Sequence, residues 1–253
     1  MRVGEAWLDI HFTTTTRVKG ASYKVFKTLV LERCGRLDLS AHNIAVSPLI
    51  GSDGDYMLPV LGGWRRSVAA IPTIILKGTY RLRISWATQE ATQTVSNLLE
   101  CIRHGREPQV EITGYTLTEA TPATSQSWRI HLATPAQIKV RTITGKTAVT
   151  PYPTPTRLLK NALTLLQTPQ QTLQEIDHNI LITDAEIRKV TVILDPDKPT
   201  NWAIQGWLWL TPTPNINPNT LKTIQKAITI IQYTGTGKSR LEGLGQTYYY
   251  TLA

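Results

Sequence analysis

The same order of predicted secondary structure occurs twice along this 253-residue chain, and that repetition constrains the fold more than any other feature. In the first half, residues 6–12 alternate between apolar and polar side chains, which predicts a strand. Apolar residues at helical spacing predict helices over residues 21–33 and 89–103. Further strands are predicted at residues 44–50, at 73–86 with an interruption at Gly78, and at 109–117. The resulting order is β-α-β-β-α-β.

The second half repeats this order. Thr154 and Pro155 supply an N-cap and a proline at the first helical position, so a helix is predicted to continue to Gln167. The remaining elements are strands at residues 128–132, 137–142, 187–194, 202–210 and 246–252, and a helix at 219–232. We therefore expect an α+β protein of two tandem ferredoxin-like (RRM-like) domains, residues 1–120 and 128–253, with a small polar linker at 118–127.

The charge balance restricts the partners of such a chain. It has 27 Lys and Arg against 18 Asp and Glu, a formal charge of +9, and the excess is larger in the second half. A basic protein of this kind favours polyanions, either nucleic acid or an anionic membrane surface. No apolar run approaches the roughly 20 residues that span a bilayer, and no helix is amphipathic and rich in Lys or Arg. We expect a cytoplasmic protein without a membrane partner.

Residue spacing also argues against metal or cofactor chemistry. Cys34 and Cys101 are too few for a disulfide framework, and there is no CxxC pair that would hold zinc. The five histidines have no metal-ligand spacing to one another, and the carboxylates form no distinctive pair. We predict no metal site and no cofactor.

A glycine-rich segment between the last helix and the last strand has two interpretations. It contains Gly235, Gly237, Lys238, Ser239, Arg240, Gly243 and Gly245. Free N–H groups beside two cations could bind phosphate oxygens, or the glycines could form a turn that packs under the sheet. The GTGKS sequence is similar to part of a phosphate-binding P-loop. However, Gln232 occupies the position of the first glycine in that motif, and a helix precedes the segment where a P-loop follows a strand. Nucleotide hydrolysis is therefore excluded.

Other basic residues lie where the backbone of a polyanion could follow the sheets. Lys139 and Arg141 alternate along one predicted strand, Arg81 and Arg83 alternate along another, and Arg157 and Lys160 follow a helix start. The helix macrodipole favours phosphate at such a start. Trp207 and Trp209 could stack bases, but the central position of their strand favours core packing.

The glycine-rich segment, of the form GxGKxxxxGxG, resembles the C-terminal signature of the RAMP superfamily of CRISPR-associated proteins. Other segments resemble motifs of its repeat-processing endoribonuclease, in the same order along nearly the whole chain. They are residues 43–49 (NIAVSPL), 77–84 (KGTYRLRI), 110–117, 137–167 and 204–209 (IQGWLW).

This resemblance implies metal-independent cleavage of the repeat in precursor CRISPR RNA. The ribose 2′-hydroxyl would attack the adjacent phosphorus and leave a 2′,3′-cyclic phosphate. The catalytic histidine of the family follows the first helix, so the resemblance implies that His42 is the acid or base of this reaction. The alternative is that His42 is an ordinary histidine of a surface loop. Lys27 and Arg36, near Lys24 and Arg33, could stabilise the phosphorane, although cations on one helix also form an ordinary solvated face.

The resemblance leaves a second function open. A non-catalytic RAMP subunit that holds guide RNA in an effector complex would share the fold and the glycine-rich segment but needs no histidine. In either case the implied RNA-binding residues are those of the glycine-rich segment together with Lys139, Arg141, Arg157 and Lys160. The implied partners are repeat RNA or precursor guide RNA, other CRISPR effector subunits and a second copy of the chain.

Overall fold

A computed structural model describes residues 1–35, 39, 43–65, 68, 70–105, 108–195, 197 and 200–251. The chain forms a four-stranded and a five-stranded antiparallel sheet, each with helices on one face, and a separate two-stranded hairpin. The α+β class and the two ferredoxin-like units predicted from the repeated element order are confirmed. Within the described residues, no helix is both long and apolar enough to cross a bilayer.

The first sheet has the strand order β2-β4-β1-β5. Its apolar alternation is the one predicted: Leu8 and Leu82 are buried against the helices, whereas Trp7 and Asp9 lie on the opposite face and are half-exposed. The elements of this half are β1 (Arg2–Lys19), α1 (Tyr23–Cys34), β2 (Ile44–Val46), β3 (Val60–Gly62), β4 (Thr73–Ala87), α2 (Gln89–Ile102) and β5 (Gln109–Glu119).

Gly78 does not interrupt β4, contrary to the sequence-based expectation. It pairs with Phe12, and β1 changes register between Phe12 and Thr16. Gly78 has a φ of +86°, a conformation that glycine adopts without steric penalty. The glycine therefore accommodates a bulge in β1, and both strands continue past it.

The two helices of the first half are joined at their C-terminal ends. The two cysteines, Cys34 and Cys101, form a single disulfide between α1 and α2. Arg33 strengthens the same junction, because its guanidinium donates to the carbonyls of Ile102 and Pro108.

The second sheet has the order β11-β6-β10-β9-β3. The helix predicted over residues 154–167 is divided at Leu159, and a further helix that the sequence did not predict follows it. The elements are β6 (Trp128–Ala136), β7 (Lys139–Arg141), β8 (Thr147–Val149), α3 (Pro155–Leu158), α4 (Lys160–Leu165), α5 (Gln170–Asn179), β9 (Ile180–Val192), β10 (Asn201–Pro212), α6 (Pro218–Thr234), a 3-10 helix (Arg240–Glu242) and β11 (Thr247–Thr251).

Strand β3 belongs to the first half of the sequence but forms an edge of the second sheet. Val60 pairs with Val192 of β9. Close to this edge, the Trp64 and Trp202 rings stack in parallel with centroids 5.3 Å apart. The Trp64 indole N–H also donates to the carbonyl of Ala203 at 3.0 Å. The two halves are therefore joined by backbone pairing as well as by side-chain contact.

Apolar packing extends across the same boundary. Ala21 and Tyr23 of the first half form a buried cluster with Val190, Val192 and Leu244 of the second. Helix α6 packs against β1, β2 and β4, and the 3-10 helix packs against β2 and α1. The glycine-rich segment thus lies between the two halves of the molecule.

Candidate functional site

Four of the cations predicted to bind RNA line one cleft of about 650 Å³ in the second half. Lys139 and Arg141 come from the β7–β8 hairpin, whereas Arg157 and Lys160 come from α3 and α4. All four side chains are exposed. The structure therefore brings together residues that are separated by up to 21 positions in the sequence.

The hairpin gives the cleft its basic wall. Lys139 pairs with Val149 and Arg141 pairs with Thr147, so both cations occupy the same face of β7. The two strands form a sheet of their own, and Ile143 at the hairpin tip is fully exposed. Two positive side chains two residues apart match the spacing at which a phosphate backbone can follow a strand.

The lining of the cleft combines apolar and polar side chains. Leu163 and Leu173 form apolar parts of the lining. The buried hydroxyl oxygen of Thr168, also in the lining, has no hydrogen-bond partner among the described residues. A nucleotide, with phosphate, hydroxyls and a planar base, combines these chemical features.

The predicted phosphate site at the helix start is not supported. The Asp177 carboxylate accepts hydrogen bonds from the Thr156 backbone N–H at 2.9 Å and from the Thr156 hydroxyl at 2.6 Å. A negative charge therefore already occupies the N-terminal end of α3, and this helix has only four residues. The basic character of the cleft comes from side chains and not from a helix dipole.

The glycine-rich segment contacts the elements on both sides of this cleft. Gln137 and Lys238 pair as an isolated bridge, so Lys238 lies beside the chain that leads into β7. The Asn161 side chain of α4 donates to the carbonyls of Gly235 and Gly237 at 3.1 and 3.2 Å. Lys238 is exposed. The segment thus connects the helical wall of the cleft to its hairpin wall.

The four glycines of this segment permit close backbone packing. Each has a φ between +65° and +87°. A β-carbon on Gly237 would lie 2.6 Å from the Gln137 carbonyl oxygen, and one on Gly243 would lie 2.8 Å from Pro48 of the first half. Several N–H groups donate within the protein: Thr236 to Gly245, Lys238 to Gln137, and Gly245 to Pro135. The packing interpretation accounts for the glycines, and phosphate binding there stays a prediction.

Arg240 and Ser239 have structural partners. The Arg240 guanidinium donates to the Thr234 carbonyl at 2.9 Å, and burial lowers its pKa from the ordinary value. The Ser239 hydroxyl donates to the Gln137 side chain at 3.4 Å. Among the charged groups of the segment, Lys238 is the exposed cation next to the cleft wall.

The predicted catalytic residues are described only in part. His42 and Arg36 lie outside the described residues, so their roles stay predictions. Lys27 is exposed on α1, and the neighbouring Lys24 pairs with Asp195 at 3.1 Å. Tyr23 is buried, and burial together with the Glu242 and Asp195 carboxylates raises the pKa of its hydroxyl to about 12.

Arg81 and Arg83 do not form the free basic face that their alternation predicted. Arg83 is only 4% exposed and pairs with Glu5 at 2.8 Å. Arg81 pairs with Asp9 at 3.3 Å. Both charges are matched by carboxylates on the adjacent strand β1, which the sequence spacing alone could not reveal.

The two tryptophans of β10 are also placed differently from the expectation of core packing. Trp207 and Trp209 are half-exposed on the face of the second sheet that carries no helices, whereas Leu208 and Leu210, which alternate with them, are fully buried. Their i, i+2 spacing was the signal that both point to one face. Among the residues that the structure describes, no cluster of three or more metal-ligating side chains is present.

Comparisons with known proteins identify the fold. No protein-family model and no curated protein sequence matches the chain. Among solved structures, a Cas6 product complex matches 99% of this chain and 100% of its own length, with a TM-score of 0.68 and 14% identity. The fold is that of Cas6. Thermus thermophilus Cas6 covers 98% of both chains at a TM-score of 0.64 and 12% identity.

The Cas6 fold confirms, at the level of architecture, the resemblance drawn from the ordered motifs. A RAMP protein described as binding different RNA substrates also matches 99% of this chain and 100% of its own, at a TM-score of 0.55 and 9% identity. The likeness extends over both halves and the segment between them. It therefore applies to the whole arrangement and not to one ferredoxin-like unit.

Proposed function

We propose that this protein is an endoribonuclease that cleaves CRISPR repeat RNA in precursor transcripts and so produces guide RNAs. The observation that carries the proposal is the likeness of the whole chain to Cas6 structures, which include a product complex and a substrate-mimic complex. The basic cleft supports it independently, since four exposed cations around one groove suit a phosphate backbone.

The proposed reaction uses the RNA itself as nucleophile. The ribose 2′-hydroxyl attacks the adjacent phosphorus, the bond to the 5′-oxygen breaks, and a 2′,3′-cyclic phosphate and a 5′-hydroxyl remain. His42 would exchange a proton with one of these oxygens, because imidazole has a pKa near neutrality. Lys27 and Arg36 would stabilise the negative charge that grows on the phosphorane. A metal ion has no necessary part in this scheme.

In this proposal the cleft of Lys139, Arg141, Arg157 and Lys160 holds the RNA away from the reacting bond. Lys238 would add a further phosphate contact at the end of the hairpin wall. The second candidate is a non-catalytic RAMP subunit that binds guide RNA. The observation that favours it is the likeness to the RAMP protein described as binding different RNA substrates.

Incubation of repeat RNA with the protein in EDTA separates the two candidates. We expect cleavage with a cyclic-phosphate end, and we expect a single 2′-deoxy nucleotide at the scissile position to abolish cleavage but preserve binding. His42→Ala should reduce the rate by about 100-fold or more. His11→Ala is the control, because His11 is exposed on β1 and its ring hydrogen-bonds to the Thr79 hydroxyl of β4 at 2.9 Å. RNA that binds but stays intact would favour the non-catalytic subunit.

A further inference from the structure

The helix-free face of the second sheet carries two rows of planar side chains outside the basic cleft. In the first row, Tyr248, His131 and Trp207 are cross-strand neighbours on β11, β6 and β10. In the second row, Tyr250, Arg129 and Trp209 have the same relation. All six are half-exposed or exposed. We call these six residues the planar face.

The planar face continues onto the first sheet through Arg83. The Arg83 guanidinium carbon lies 5.5 Å from the Tyr248 ring centroid and 6.0 Å from the Trp7 ring centroid. Tyr248 is also fixed from the first half, because its hydroxyl hydrogen-bonds to the Tyr56 hydroxyl at 3.4 Å. A series of neighbouring side chains therefore connects the two sheets: Trp7, Arg83, Tyr248, His131 and Trp207.

Charged groups around Trp207 hold its ring in position. The Arg129 guanidinium lies 4.2 Å from the ring centroid, and the indole N–H donates to the Glu186 carboxylate at 3.3 Å. The Arg129 guanidinium is a planar cation and the Trp207 indole is fixed in position, so both groups are suited to stacking against a base. Glu186 and the neighbouring Asp184 would repel phosphates, so a bound backbone would follow the Arg129 side.

His131 contributes a ring without a full charge at neutral pH. Burial and the adjacent Arg129 lower its pKa from the ordinary value of 6.5. A neutral imidazole between two aromatic side chains extends the planar face by one further ring. The face presents rings, whereas an RNA duplex keeps its bases stacked inside and presents sugars and phosphates. Unpaired bases fit this surface, and a duplex does not.

We propose that the planar face binds a single-stranded segment of RNA whose bases stack on Trp207, His131 and Tyr248. This inference rests on the proposed function only in taking RNA as the ligand. The segment would be an unpaired flank of the RNA held in the basic cleft, and its bases would be bound by stacking.

A short single-stranded RNA that contains 2-aminopurine tests the proposal, since stacking quenches the fluorescence of this base. The wild-type protein should quench it on binding. Trp207→Ala should weaken binding by about 5- to 100-fold and remove the quenching, while Trp207→Phe should retain most of both. Tyr152→Ala is the matched control, because Tyr152 is 81% exposed and lies outside the planar face.

Two further measurements keep the outcomes distinct. The slope of log affinity against log salt should be the same for wild type and Trp207→Phe, since no phosphate contact is lost. Equal binding by wild type, Trp207→Ala and Tyr152→Ala would overturn the proposal even if repeat RNA is cleaved. Conversely, Trp207-dependent quenching with no cleavage of any repeat would support the planar face while rejecting the endoribonuclease. Unfolding midpoints of both Trp207 variants confirm that each is folded.

Discussion

Gly237 holds the backbone in a conformation that other residues adopt only with strain. Its φ is +73°, and a β-carbon there would approach the Gln137 carbonyl oxygen, carbon and nitrogen within 2.6 to 3.1 Å. These are backbone atoms and cannot rotate away. The close approach of residue 237 to residue 137 positions Lys238 beside the strand that enters the basic hairpin.

Gly237→Ala should therefore lower the free energy of unfolding by more than the left-handed conformation alone costs. That conformation costs about 1–2 kcal/mol, and the backbone clash should bring the total to roughly 2–4 kcal/mol. Gly54→Ala is the control, since Gly54 has a φ of +86° but no atom of the described residues lies within 4 Å of the added carbon. Urea denaturation of both variants measures the difference. Equal losses would mean that residue 137 moves aside at no cost.

His131 makes the stability of the second sheet dependent on pH. Burial, followed by the charge of Arg129, lowers its pKa, so the folded protein binds a proton on this ring less readily than the unfolded chain. Its contribution is therefore constant above the unfolded pKa of about 6.5 and is lost as the pH falls from there through the folded pKa. Relative to His131→Gln, the wild type should lose stability on acidification. Denaturation curves of both proteins across this range check the sign, and a pH-independent difference would contradict it.

The β7–β8 hairpin is the element on which the affinity for phosphates depends most directly. Lys139→Ala combined with Arg141→Ala should weaken binding of repeat RNA at every sequence tested. It should also reduce the slope of log affinity against log salt by about 0.7–0.9 for each cation that contacts a phosphate. Lys222→Ala with Lys226→Ala on α6 removes the same charge from exposed positions outside the cleft lining. If the two double variants change the slope equally, the cleft has no specific role.

Elements with a regular apolar period could be predicted from the sequence. Alternation at Ala6, Leu8 and Ile10 gave β1, because one face of an antiparallel strand is buried and the other is not. Helix α5 was missed because only Ile176 is fully buried in it, which leaves no apolar stripe to detect. Strand β3 has three residues, and its partner β9 lies more than 100 positions away. No local pattern encodes such a pairing.

The candidate site was predictable as a set of residues but not as a shape. Basic side chains at positions 139, 141, 157 and 160 could be recognised individually, and the fold then placed them around one cleft. Charge counting failed where the partner lies on another strand, as Glu5 does for Arg83. It also gave no account of the planar face, whose members come from three strands that are adjacent only after folding.

Because contacts cross the midpoint of the chain, we predict that the two halves fold as one unit. Strand β3 supplies an edge of the second sheet, and the cluster of Ala21, Tyr23, Val192 and Leu244 is buried only when both halves are present. A fragment of residues 128–253 would expose the edge of β9 and one side of that cluster.

The full chain should therefore unfold in a single cooperative transition, with circular dichroism and tryptophan fluorescence giving the same midpoint. The separate fragment 128–253 should show no such transition, or one at a much lower denaturant concentration, and addition of fragment 1–120 should restore it by supplying β3. Trp64→Ala in the full chain gives a milder test, because it removes the stack on Trp202 while leaving β3 in place. It should lower the midpoint without separating the two probes. A fragment 128–253 that unfolds cooperatively at the midpoint of the full chain would show instead that β3 and the shared cluster add little to the second half, and that the repeated order in the sequence corresponds to two independent domains.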